Sequence, residues 1–305
     1  MSRFVDIDLS QLPPPQLIDT ISFEDILAQQ KADVLARWAE VRRSRPDLPP
    51  IDTLMLETEP ITLILEATSY RETLLRALVN DKARATLLAF AKGSDLDQIG
   101  ALFDVRRMPL VDGPRPFAEH PEDWEADERY RRRVQLAPEA FSTAGPAGAY
   151  VFHALSASIE IFDAHAFSPA DGRVTVVLAG AGGAEVSDAT VTAVVDRLDR
   201  DDIVPLTDQR SVVRAERVLY QVSANLLIPR GPDPDLIKVA AAAQLQSYAG
   251  ERYRIGYEVY PVGLTAALKV GGVDNVALLA PTSPVVCSDQ QIPVMQPPIL
   301  TTTII

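Results

Sequence analysis

The chain is poor in the residues on which most site chemistry depends. It has one cysteine, Cys287, and three histidines, His120, His153 and His165. A single thiol excludes an internal disulfide framework, fits a reducing compartment, and as a metal ligand would stand alone. Nucleophilic catalysis of the Ser-His-Asp kind needs a positioned imidazole, and none of the histidines lies near a G-x-S-x-G elbow, a pattern missing from the chain. HExxH, paired-cysteine and twelve-residue calcium-loop motifs are missing too, so neither a cofactor nor a metal is expected. His153 reads as a packing residue and His165 as a strand-surface residue. Aromatics are only 6% of the sequence, which disfavours an aromatic-rich receptor-binding surface. No stretch reaches the eighteen or so uncharged apolar residues of a membrane span, and the opening MSRFVDIDLSQLPPPQ lacks the apolar core of an export signal.

Positive charge is also short. Lys and Arg total 29 against 42 Asp and Glu, giving a formal charge of −13 and an isoelectric point near 4.7. Phosphate backbones are held by clustered Lys and Arg, so nucleic acid is not an expected partner. The densest basic group, Arg129, Arg131, Arg132 and Arg133, follows Glu119, Glu122, Asp123, Glu125, Asp127 and Glu128, and reads as locally paired charge on a solvated helix face. Gly180-Ala-Gly-Gly183 lacks both the Lys-Ser/Thr of a P-loop and the spacing of a dinucleotide fingerprint, and reads as a turn.

What the chain does have is apolar content, 47%, in a pattern that is helical first and mixed later. Between Pro60 and Pro109 runs a long proline-free stretch. Leu63, Ala67, Tyr70, Leu74 and Leu78, flanked by Ile64, Leu75 and Val79, form one broad apolar face, with Glu66, Arg71, Glu72, Arg76, Asp81, Lys82 and Arg84 opposite. Pro60 suits a first helical turn, Gly93 a stop and Ser94 the cap of a second helix. The reading predicts a rod on the order of 50 Å that needs something to lie against. A shorter helix should start at Ser22 and carry Phe23, Leu27, Val34, Trp38 and Val41 as its stripe. If that helix folds back on the rod as a private hairpin, no apolar surface is left over for other chains.

The fold class expected is therefore multidomain α+β: a long-helix region followed by two small α+β domains. An extended arm covers 1–21, a helical domain 22–108, a linker 109–122, α+β domains 123–216 and 217–283, and a second extended arm 284–305. Prolines around the linker make Pro109, Gly113, Pro114 and Pro116 candidate hinge residues. Pro146-x-Gly and Pro261-x-Gly helices, each followed by a strand and a proline, suggest a weak internal duplication.

Three stretches resemble the baseplate protein J family of contractile-tail phages and phage-tail-like bacteriocins. They are DLSQLPPPQLIDTISFEDIL, LETEPITLILEATSYRETLLRALVNDKARATLLAFAKGSDLDQIGALFDVRR, and DERYRRRVQLAPEAFSTAGPAGAYVFHALSA, which together span most of residues 8–157. The resemblance implies a structural wedge subunit of the baseplate ring, located in the virion tail and in the host cytoplasm during assembly. It implies as partners other copies of the chain, a smaller wedge protein (protein I type), a lysozyme-like sheath-initiating protein (protein W type) and the tail hub, with the ring opening on sheath contraction. The helical bundle it implies would take Phe23, Leu27, Val34, Trp38, Leu63, Ile64, Tyr70, Leu74, Leu75, Leu78 and Val79 as contacts. A rival reading is a tail-associated enzyme that cleaves carbohydrate or cell wall.

Overall fold

A computed structural model describes residues 7–17, 22–142, 145–170, 172–200, 203, 208–231 and 233–305. Among them are eight α-helices and two three-stranded sheets, a mixed α and β architecture. The described residues divide into two compact units, 7–102 and 103–305. The boundary therefore falls at Leu102–Phe103, a few residues before the expected one at 108. Of the arm expected at 1–21, residues 1–6 and 18–21 lie outside the described residues.

The first unit is helical. Helix α1 (Phe23–Ser44) starts where Ser22 caps it, its hydroxyl accepting from the Asp25 N–H at 3.3 Å. Helix α2 (Pro60–Ala85) has proline in its first turn, where the missing N–H costs nothing. It is 26 residues long, about 39 Å at 1.5 Å per residue, shorter than the rod expected because the chain leaves the helix at Thr86. Helix α3 (Gly93–Ala101) begins at Gly93, whose φ of 53° suits glycine; the residue expected to stop one helix starts the next.

The second unit opens with the passage expected as a linker. Residues 109–122 instead lie in a pinned lap. Leu110 N–H donates to Asp123 O and Glu125 N–H to Met108 O, both at 2.8 Å, and Trp124 Nε1 donates to Arg115 O at 2.7 Å. Arg115 grips the Asp123 carboxylate with Nε at 2.7 Å and a terminal nitrogen at 2.9 Å, and that hydrogen-bonded guanidinium draws the carboxyl down to about 2.

Helix α4 (Asp127–Leu136) corrects the solvated reading of the arginine cluster. Glu125 is only 1% exposed and is shared by Arg129 and Arg133, while Arg107 donates to its carbonyl and pairs with Asp127 at 2.8 Å. The Arg107 guanidinium also lies over the Phe117 and Tyr130 rings. Arg129 donates to Leu155 O and Ser158 O. Buried guanidiniums are tolerated here because each has an anion, a carbonyl or a ring to face.

Helix α5 (Ala147–Leu155) and helix α6 (Asp188–Leu198), the latter capped by Ser187, cover one face of a sheet ordered β1 (Ile161–Ala170), β2 (Arg173–Gly180), β3 (Gln209–Arg214). Strand β2 is buried on both faces. Val176 and Leu178 point to the helices, and Val177 and Ala179 meet Tyr253, Ile255 and Ile292 on the other side. Only Ala215 separates β3 from β4 (Glu216–Ile228), so the boundary expected at 216/217 falls where the chain passes from one sheet directly into the next.

In that second sheet β4 is central, antiparallel to β5 (Asn275–Ala280) and parallel to β6 (Gln291–Ile304). Helices α7 (Pro234–Arg252) and α8 (Pro261–Leu268) cover the face bearing Val222, Ala224, Leu226 and Ile228. Residues expected as an extended C-terminal arm, 284–305, hold strand β6, which runs the length of β4 within its own chain. Its prolines concealed it, but an edge strand tolerates proline wherever the missing N–H would point away from its neighbour. Each sheet combines one antiparallel and one parallel pairing, and the Pro-x-Gly helices α5 and α8 each precede the antiparallel edge strand, although the strands enter the two sheets in different chain order.

Two buried ties hold this unit together. Asp163 on β1, 1% exposed, receives Arg132 at 2.8 Å, Arg254 at 3.3 Å and the Ile255 N–H at 2.9 Å. Burial opposes its charge, yet the two guanidiniums and the N–H outweigh that and hold the carboxyl below its ordinary value. The Tyr253 hydroxyl donates to Gly180 O and accepts from Gly183 N–H at 2.7 Å, so the glycine loop is a turn fastened from beneath. His165, expected on a strand surface, is buried against Phe167 with Asp289 3.6 Å away, and His153 packs edge-on to Phe152.

Glu125→Ala leaves two guanidiniums without their anion and should cost about 3–5 kcal/mol. Urea unfolding of the purified chain checks this, and a loss under about 1 kcal/mol would show the network to be dispensable.

Candidate partner-binding surface

The apolar face read from the sequence lies on α2, and its own chain does not cover it. Leu63, Ile64, Tyr70, Leu74, Leu75, Leu78 and Val79 are all between 44% and 63% exposed. The α2 positions that are buried are polar: Thr62 and Ser69 at 0% and Asn80 at 2%. At about 100° per residue these three fall roughly opposite the centre of the apolar stripe. Helix α1 does fold back on α2, but on the polar side.

Hydrogen bonds explain that choice. Gln30 of α1 sits over α2, its amide nitrogen donating to Glu72 at 3.1 Å while its carbonyl oxygen accepts from Thr68 at 2.8 Å and Ser69 at 3.1 Å. Thr62 donates to Leu54 O at 2.8 Å, and the Asn80 carbonyl oxygen accepts from Leu17 N–H at 3.0 Å. Arg76 braces Glu72 one turn away. Each buried polar atom in this seam has a partner, the condition under which such a seam is stable and fixed in register.

The α1 residues of the expected bundle divide. Leu27 is buried; Phe23, Val34 and Trp38 are half-buried, with Trp38 Nε1 donating to Pro49 O at 2.9 Å. Leu27 also lines a groove of about 330 Å³ with Ala28, Leu35 and Met55. The two helices thus form a hairpin with one apolar flank facing outward, and the alternative in which the hairpin leaves no surplus apolar surface does not hold. The signal for the seam was in the sequence as small polar residues, Thr62, Ser69 and Asn80, recurring at helical spacings on one side; the charges around them disguised it.

Chemically the stripe can bury area and little else. Covering the exposed remainder of each large side chain would release roughly 1 kcal/mol, so the face suits association with other chains. An exposed apolar flank of this extent suits a structural protein that works within an assembly.

The comparisons with known proteins agree with that class. The Baseplate J-like N-terminal domain family matches residues 57–113, the stretch that contains α2, and the Baseplate J-like central domain family matches residues 142–214. Baseplate protein J of Escherichia phage P2 is 36% identical over 289 residues, covering 93% of this chain and 94% of the phage protein. The chain belongs to the Baseplate J family, and it is a structural component of the phage tail baseplate, not an enzyme. A solved structure of the anti-feeding prophage baseplate aligns with a TM-score of 0.41 at 16% identity, over 56% of this chain and 42% of that one.

Since Leu74 makes its contacts with solvent, Leu74→Asp should leave the free chain's unfolding midpoint within about 2 °C of the parent, as surface substitutions do. Thermal unfolding followed by circular dichroism measures this; a drop of ten degrees or more would place Leu74 in an internal core.

Proposed function

We propose that the chain is a wedge subunit of the baseplate ring, and that the outward flank of the α1–α2 hairpin is its share of a helical bundle made with other wedge chains. The observation carrying this reading is the exposed stripe from Leu63 to Val79 on a helix whose opposite side is already seated. Family likeness supplies the partners: a second copy of the chain, the smaller protein of the I type, the sheath-initiating protein of the W type, and the tail hub. Half-buried Phe23, Val34 and Trp38, together with Leu27 in its groove beside Met55, are the proposed contribution of α1 to that bundle.

Assembly follows from the charge balance as well. Two chains of formal charge −13 repel at a distance, so contact is favoured where apolar area is large and charge sparse. When the sheath contracts, the ring passes between two arrangements, and the lap carrying Pro109, Gly113, Pro114 and Pro116 serves as the hinge. Gly113 has a φ of 68°, a conformation that favours glycine, and a Cβ there would meet nothing within 4 Å.

Co-expression tests the bundle. Leu74→Asp and Leu78→Asp should each abolish co-purification with the I-type and W-type proteins, while retention of both complexes would remove the basis of the proposal. The hinge has its own check: a disulfide engineered across the lap should arrest contraction of assembled particles, and normal contraction with the disulfide formed would exclude the lap.

A further inference from the structure

The C-terminal end of α5 gathers arginines from two neighbouring helices. Arg129 of α4 donates to Leu155 O and Ser158 O, Arg133 of α4 reaches the Ser156 hydroxyl with Nη1 at 3.4 Å, and Arg197 of α6 donates from Nη1 to Ser156 O at 3.1 Å. Carbonyl groups at a helix end carry partial negative charge, so cations are favoured there. That accounts for one nitrogen of Arg197 and leaves the rest of its guanidinium unexplained.

A guanidinium holds a carboxylate most firmly with two parallel N–H groups, on Nε and one terminal nitrogen. This chain uses that fork more than once. Arg115 sets Nε and Nη2 on Asp123 at 2.7 and 2.9 Å, and Arg133 sets the same pair on Glu125 at 3.0 and 2.5 Å. On half-buried Arg197 neither nitrogen of the fork has a hydrogen-bond partner among the described residues, although the Nε atom is buried. Two other arginines share a buried Nε without a partner, but Arg84 has Asp81 at 3.6 Å and Arg252 lies over the Tyr248 ring. The charged groups around Arg197 are cations. Burial first, and then Arg200 and Arg133, push its guanidinium below its ordinary value, and no described carboxylate counters them. Arg129, also pushed down by burial, has Glu125 against it.

A cation half withdrawn from water beside two of its own kind is unfavourable unless an anion completes the group. The donors define that anion. Parallel N–H groups suit two oxygens carried on one carbon or phosphorus atom, and Arg200, exposed just beyond α6, adds a second positive charge.

We infer that Arg197, with Arg200 beside it, is a binding site for an oxyanion, held on the Nε–Nη2 edge of Arg197. Free phosphate and a carboxylate side chain of a neighbouring chain present the same pair of oxygens and are its two sources. The site uses none of the residues proposed for the bundle or the hinge, so it stands or falls apart from them.

Thermal unfolding of the full-length chain at fixed pH and ionic strength tests it, with phosphate and acetate each compared against chloride. An anion that binds the folded chain raises the midpoint, by roughly 2–4 °C at ten times its dissociation constant. The parent should show that gain. Arg197→Gln keeps a donor for Ser156 O and lacks the fork, and Arg197→Lys keeps the charge and lacks the fork; both should gain nothing over chloride. Arg43→Gln, an exposed arginine of α1, should respond as the parent does. The larger gain names the source, phosphate for a free ion and acetate for a neighbour's side chain. The inference is overturned if neither anion raises the parent's midpoint above that in chloride, or if either Arg197 variant gains as much as the parent.

Discussion

Everything in the helical unit depends on one polar seam. Gln30 reaches from α1 to Glu72, Thr68 and Ser69, and those bonds decide which side of α2 is covered. Had α1 packed on the Leu63–Val79 side instead, Thr62, Ser69 and Asn80 would have faced solvent and the chain would have been self-sufficient. A polar seam binds two helices with less driving force than an apolar one, because each hydrogen bond replaces one to water. It leaves the stronger driving force, apolar burial, unspent in the free chain and available to an assembly.

The second unit is organised on the opposite plan. Its charged groups are turned inward, with Glu125 and Asp163 each holding two arginines, and its two sheets are joined by the β3–β4 strand run, the Tyr253 clasp and a shared apolar layer around Ile255 and Ile292. The buried ionic ties make residues 103–305 resistant to separation, since removing either acid strands two cations. The helical unit keeps its largest apolar face outside.

Much of this was legible in the sequence. Ser22 as a cap, Pro60 in a first turn and the Leu63-to-Val79 stripe all follow from local rules. What escaped was decided by distant partners. The arginines of α4 look solvated from their neighbours in sequence, and only the fold brings Leu155 O, Ser158 O and Asp163 to them. Strand β6 looks broken by Pro293, Pro297 and Pro298, because sequence alone does not reveal that it lies at an edge. Whether α1 would cover the stripe of α2 was also beyond local pattern, since both faces of α2 offer a plausible seat and the hydrogen-bond geometry of Gln30 selects between them.

The central claim is that the α2 stripe is exposed in the free chain and covered in the baseplate. Thiol labelling at a cysteine placed at position 74, in a Cys287→Ser background, tests it most directly when carried out on the purified chain and on assembled tails. The account predicts rapid labelling of the free chain and protection in the tail. Equal labelling in both states would show that no partner covers the stripe and would contradict the account.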